Sequence, residues 1–167
     1  MGPELLHRSV STHLERVGAR FEVMACDPAL ADTAAFVEAY GVPLDHSANT
    51  IVVASKGADP VHVACIVLAT TSLDVNRVVR REMGVRKASF AGADAVRELT
   101  GMEIGGVTAF GLPEGLPLLV DARVMERDWV ILGGGNRSSK LRIAPDAMRA
   151  VPGFRVVEGL AVERWEA

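Results

Sequence analysis

Two glycine clusters carry the most chemically suggestive spacing in this 167-residue chain. Gly105-Gly106 sits in EIGGVTAFGLPEGLP, Glu103 to Pro117, and Gly133-Gly134-Gly135 follows the apolar run DWVIL. Glycine lets the backbone approach a ligand closely, and successive N–H groups can turn into one concavity that binds an anion or an oxyanion. The same clusters also read as turns between strands, and glycine content alone does not separate the two readings. Neither cluster is a P-loop, since GxxxxGK[ST] is missing, and neither follows the GxGxxG pattern between strand and helix. No GxSxG elbow or Cys–His pairing supports a covalent nucleophile. His7, His13, His46 and His62 form no HxxxH or HxH pair, so no structural zinc site is expected.

The elements around these loops follow from periodicity. Leu5, Leu6, Val10, Leu14 and Val17 lie near helical spacing, with Gly18 as the stop. FEVMA reads as a short strand, and Asp27-Pro28 turns into a helix over Thr33 to Tyr40. NTIVVASK and PVHVACIVLATT are rich in β-branched residues and read as an antiparallel pair joined by Gly57-Ala58-Asp59. Asp74 caps a helix over Val75 to Met83. KASF is a strand, and a helix starting near Asp94 ends at Thr100-Gly101. PLLVDARV, DWVILGGG and KLRI read as strands, Pro145-Asp146 opens a short helix, and RVVEGLAV closes the chain. Strands and helices mix without a βαβ period, so a mixed-sheet α+β or irregular α/β domain is expected, not a doubly wound parallel sheet.

Composition narrows the classes. The net charge of −3 means that any nucleic-acid contact must rest on a local patch. Arg77, Arg80 and Arg81 offer one on a single helical face, with Arg86 and Lys87 beyond; a solvated charged face is the plainer reading. Cys26 and Cys65 stand far apart, which suits packed thiols in a reducing compartment. Neither a signal peptide nor a run of about 20 apolar residues is visible, so no membrane role is expected.

The order of parts adds what no single motif does. LTGMEIGGVTAFG, LPLLVDARV, DWVILGGGNRSSKLRI and PDAM follow one another as in the YbaK/ProX family, which is related to the editing insertion of bacterial prolyl-tRNA synthetases. Upstream, the segments CDPALADTAAFVEAYGVPLDHSANTIVVAS and LDVNRVVRREMGVRKASFAGADAVRELTG look like the family's opening helix, first long strand and basic helix. The resemblance runs from about Phe21 to Val157 and implies one domain over residues 1–167, with a central, partly barrel-like mixed sheet flanked by helices. It also implies a cytoplasmic protein that hydrolyses, in trans and without metal or organic cofactor, the ester joining a wrong amino acid to the terminal adenosine of a tRNA. A synthetase is a further implied partner. The substrate would sit between the two glycine loops, bound by Gly101, Gly105, Gly106, Gly111, Gly134, Gly135 and Arg137, with Asn49, Thr108 and Asp121 as catalytic candidates and Arg77, Arg80 and Arg81 meeting the tRNA. An acyl ester is already activated, so positioning, an oxyanion-binding backbone and a directed water suffice for such chemistry.

Four departures from the family pattern bear on mechanism. Asn49 stands where the family carries a lysine, exchanging a cation for a neutral amide. Gly133 replaces a serine, Lys140 replaces an aspartate, and the first loop has Ala109 in place of proline. A second class is therefore kept open: a module that binds tRNA, a nucleotide or a synthetase without hydrolysis. As a lone residue Asp121 also suits a cap, Thr108 a turn hydroxyl, and His46 a surface or packing role.

Overall fold

A computed structural model describes residues 2–164; the ends of the expected domain, residues 1 and 165–167, lie outside them. In chain order the elements are α1 (Arg8–Val17), β1 (Phe21–Ala25), α2 (Thr33–Tyr40), β2 (Ala48–Ser55), β3 (His62–Leu68), β4 (Thr71–Leu73), a π turn (Val75–Val79) running into α3 (Arg80–Met83), β5 (Ala88–Phe90), α4 (Ala93–Thr100), β6 (Leu118–Asp121), α5 (Ala122–Met125), β7 (Val130–Gly133), β8 (Ser139–Ile143), β9 (Phe154–Val157) and β10 (Ala161–Glu163).

The main sheet has the order β5-β2-β3-β6-β9, antiparallel on the β2 side and parallel from β3 through β6 to β9. A second, antiparallel sheet has the order β1-β8-β7, and β4 pairs with β10. The mixed α/β class expected above is what the chain adopts. Ser47, just before β2, bridges Ile131 and links the two larger sheets.

β3 shows why its sequence is a continuous apolar run. Ala64, Ile66 and Leu68 enter a core with Val10 and Leu14 of α1, Phe110, and Leu132 and Leu141 of the second sheet. Val63, Cys65 and Val67 point the other way, onto Val75, Val78 and Val79. A strand covered on both faces has no polar side to alternate with. A smaller core of Cys26, Ala31, Phe36 and Ile131 seats α2 against the second sheet.

Two local expectations change. PLLVDARV is not one strand: β6 stops at Asp121, whose side chain accepts from the Arg123 backbone N–H at 2.9 Å and starts α5. A capping carboxylate satisfies one of a helix's orphan donors, and Ala122, Arg123 and Met125 after it are good helix formers. The helix after Asp74 opens as a π turn, with the Val79 N–H reaching the Asp74 carbonyl at 3.0 Å. No helix among the described residues is long and apolar enough to cross a membrane.

Candidate functional site

A cleft of ≈370 Å³ opens beside the first glycine loop. Its geometry begins with an unfinished sheet edge. β5 pairs with β2 only at Val53–Ser55, so Asn49, Thr50 and Ile51 border the cleft without a strand on that side. The opposite wall is the start of α2, with Asp32, Thr33 and Phe36, and Gly105 and Val107 form a third side. Gly133 and Lys140 come up from β7 and β8 at the floor.

Lys140 is the most unusual group in the cleft. It is 6 % exposed, and its ammonium donates to the Ala31 carbonyl at 2.6 Å and the Gly105 carbonyl at 3.0 Å. The Phe36 ring lies 5.2 Å from the same nitrogen. Burial holds the Lys140 pKa below the ordinary lysine value; Cys26 and Asp32 act against that shift, and Arg137 adds to it. A buried ammonium is tolerated when carbonyl oxygens surround it, and three N–H donors leave Lys140 one beyond the two already engaged.

Asn49 lines the cleft as its position on β2 suggested, and its side-chain oxygen accepts from the Thr33 hydroxyl at 2.6 Å. That contact ties β2 to the first turn of α2 and leaves the Asn49 amide N–H₂ as its polar face. The hydroxyls of Ser47 and Thr50 border the same space and make no hydrogen bond within the described protein. Asp32 and Lys140 are the titratable side chains along the cleft among the described residues. Asp32 faces the Arg137 guanidinium at 3.2 Å.

The two glycine loops close on each other through backbone hydrogen bonds. The Gly135 N–H donates to the Gly106 carbonyl at 2.6 Å, and the Glu103 N–H donates to the Gly135 carbonyl at 3.1 Å. A Cβ on Gly106 would strike the Asn136 backbone, and one on Gly133 would strike the Gly106 carbonyl and come within 2.7 Å of the Val107 carbonyl oxygen. Hence the glycine at 133, a departure at the level of sequence, is what lets the first loop lie flat on β7. The cleft lies beside this loop pair, against β2 and α2.

Of the expected substrate-binding residues, only Gly105 borders the cleft. Gly101 caps α4 in the left-handed region at φ 71°. Gly111 lies against α1, where a Cβ would come within 2.6 Å of the Ser9 carbonyl. The Gly134 carbonyl accepts from the His7 N–H at 2.9 Å, and Gly135 packs on the same histidine. Arg137 acts from behind the wall: it donates to the Pro28 carbonyl at 3.0 Å and the Ile104 carbonyl at 2.9 Å, so it fixes the loop to the turn before α2.

The other catalytic candidates lie elsewhere. Thr108 is fully buried behind the loop, and its hydroxyl has no hydrogen-bond partner among the described residues. Asp121 is 1 % exposed at the end of β6, and its second oxygen accepts from the Ala161 N–H at 2.8 Å, away from the cleft. The arginines divide: Arg77 and Arg81 are exposed, whereas Arg80 curls back to the Asn76 carbonyl at 3.0 Å. His46 stacks on Trp129 with ring centroids 4.3 Å apart. Sequence reasoning missed Asp32, Thr33, Phe36 and Phe90 as cleft residues. The Asp-Thr pair at the head of α2 was a visible signal, because a helix start so close in sequence to a polar strand start can share a site.

Residues 27–151 match the aminoacyl-tRNA editing domain family. The chain is 28 % identical over 138 residues to the uncharacterized protein YwhH of Bacillus subtilis (strain 168), covering 83 % of this chain and 85 % of that one. Its fold is similar to the crystal structure of a proposed trans-editing enzyme for prolyl tRNA synthetase, with a TM-score of 0.79, 24 % identity, and coverage of 98 % of this chain and 99 % of that one. It is likewise similar to the crystal structure of a hypothetical protein, with a TM-score of 0.82, 22 % identity, and coverage of 93 % and 100 %.

Proposed function

The chain belongs to the aminoacyl-tRNA editing domain family, and from that premise we propose that it hydrolyses, in trans, the ester of a wrongly charged tRNA in the cytoplasm. The observation that carries this reading is the cleft itself: an open strand edge, a glycine wall and a buried ammonium meet in one space of ≈370 Å³. That volume suits a small-molecule-sized group such as an aminoacylated ribose. The apolar lining from Phe36, Val96 and Val107 favours an uncharged amino-acid side chain.

In this reading the Asn49 amide and the free backbone of Thr50 orient the ester. A water adds to the carbonyl carbon, and the electron pair moves to the carbonyl oxygen. The Lys140 ammonium, supported by Phe36 and two carbonyls, stabilises that oxyanion electrostatically. Collapse expels the ribose oxygen, which takes a proton from the added water or from the neighbouring ribose hydroxyl. Lys140 thus supplies from β8 a cation of the kind the family carries at the Asn49 position. Arg77 and Arg81 lie where they can meet phosphates of the acceptor end.

The test is release of amino acid from a complete panel of mischarged tRNAs, wild type against Asn49→Ala. Loss of about 10- to 100-fold is expected for removal of an orienting hydrogen bond, and a panel with no hydrolysis above the blank would sink the proposal. One observation favours a second reading, a binding module without hydrolysis: the only carboxylate along the cleft among the described residues, Asp32, is engaged by Arg137. Activity that appears only in Asn49→Lys would support that alternative.

A further inference from the structure

The cleft does not end at its rim. Phe90 borders both the cleft and a neighbouring groove of ≈480 Å³, which continues past Asp74 and Arg77 and is flanked by Val162. The ring is 61 % exposed, more than any other large apolar side chain among the described residues. It stands at the end of β5, the edge strand of the main sheet, opposite Val53. Ala91 and Gly92 follow, and neither is large enough to cover it. An aromatic face held in water beside a polar cleft has a use when a flat, partly apolar group leaves that cleft.

Charge follows the same line. Arg77 lies in the groove and is exposed, and Arg81, Arg86 and Lys87, nearby in sequence, are exposed as well. The one carboxylate in the groove among the described residues, Asp74, accepts from the Arg77 backbone N–H at 3.2 Å as the cap of the π turn. An exposed ring followed by cations is how proteins hold single-stranded nucleic acid: bases stack and phosphates meet the charges. Among the described residues the large exposed apolar side chains here are Phe90 and Val162, far below the core of a stable protein–protein interface.

We infer that this groove carries the single-stranded 3′ end of the tRNA out of the cleft, with the penultimate nucleobase stacked on Phe90 and the phosphates beyond it meeting Arg77. The inference rests on the deacylase reading for what occupies the cleft. It adds the direction in which the strand leaves and the side chain that grips it.

The experiment uses RNA minihelices with a single-stranded CCA end and 2-aminopurine at the penultimate position. Wild type should quench the fluorophore on binding. Phe90→Ala should abolish the quench and weaken binding about 5- to 100-fold, the range for loss of one base–aromatic stack, and Phe90→Trp should restore both. A minihelix trimmed of its last two nucleotides should bind wild type and Phe90→Ala alike. Arg77→Glu should weaken both RNAs and flatten the dependence of binding on salt. Unchanged binding and quench in Phe90→Ala would overturn the inference, as would an equal loss on the trimmed RNA. Altered self-association of Phe90→Ala with RNA binding intact would assign the ring to a second copy instead. Wild type that binds no minihelix would sink the deacylase reading as well, whereas stacking without hydrolysis would leave this inference standing and remove only the catalytic one.

Discussion

Lys140 and His13 are buried bases that make stability rise with pH, each in its own pH window. Burial lowers the Lys140 pKa from its ordinary value, so the native state gives up that proton before the unfolded chain does. Between the lowered value and 10.5 the unfolded state binds more protons, and stability rises with pH. Lys140→Met should remove that rise in denaturation profiles while reducing hydrolysis at every pH. His13 is 5 % exposed, its Nδ1 accepts from the Gly111 N–H at 3.0 Å, and its pKa is lowered by burial and then by Arg16. The native state resists protonating it, so stability present above pH 6.5 is lost as pH falls toward the lowered value. Replacing His13 with Gln should flatten melting temperature against pH in that window. A profile as steep as wild type would show that His13 is not the group responsible.

At the scale of elements, the glycines and Asp121 are architectural. Because a Cβ at position 133 would strike the Gly106 carbonyl, Gly133→Ser should push the first loop off β7. The expected cost is about 1–3 kcal/mol, the usual range for overpacking, read as a shift in denaturation midpoint together with weakened cleft binding. Asp121 caps α5 with one oxygen and holds the Ala161 N–H with the other, with the Arg123 guanidinium 3.7 Å away. Asp121→Ala should cost about 2–4 kcal/mol, a lost cap plus an unpaired buried donor. Turnover per folded molecule should stay near wild type, and a specific fall in turnover at unchanged stability would return Asp121 to the chemistry.

At the scale of the whole molecule, periodicity and β-branching located nearly every strand and helix, because each buries a face whose repeat is visible in one dimension. The order of the glycine segments was enough to suggest the family. The cleft was less legible. Asn49 and Gly105 could be named, but the ligand space was expected between the two glycine loops. Glycine signals close approach without saying what approaches, and in this chain it is another backbone. Lys140 looked like a lost aspartate because the carbonyls of Ala31 and Gly105 that stabilise it lie 109 and 35 residues away. Phe90 carried no signal, since an exposed ring on an edge strand reads as an ordinary strand residue until its two neighbouring concavities are seen.

The Lys140 side chain also works as a spacer. One nitrogen holds carbonyls from both sides of the cleft, at 2.6 and 3.0 Å, so the gap between Ala31 and Gly105 has the width of a single ammonium. On the proposed reading, selectivity can then drift without any change in the apolar residues that line the cleft. A guanidinium in the same place is broader and spreads its donors in a plane. Lys140→Arg should part the two walls and move the preference among mischarged tRNAs toward bulkier side chains, which competition between a small and a large aminoacyl-tRNA would reveal. Divergence at this one β8 position would let otherwise similar proteins sort different amino acids by size.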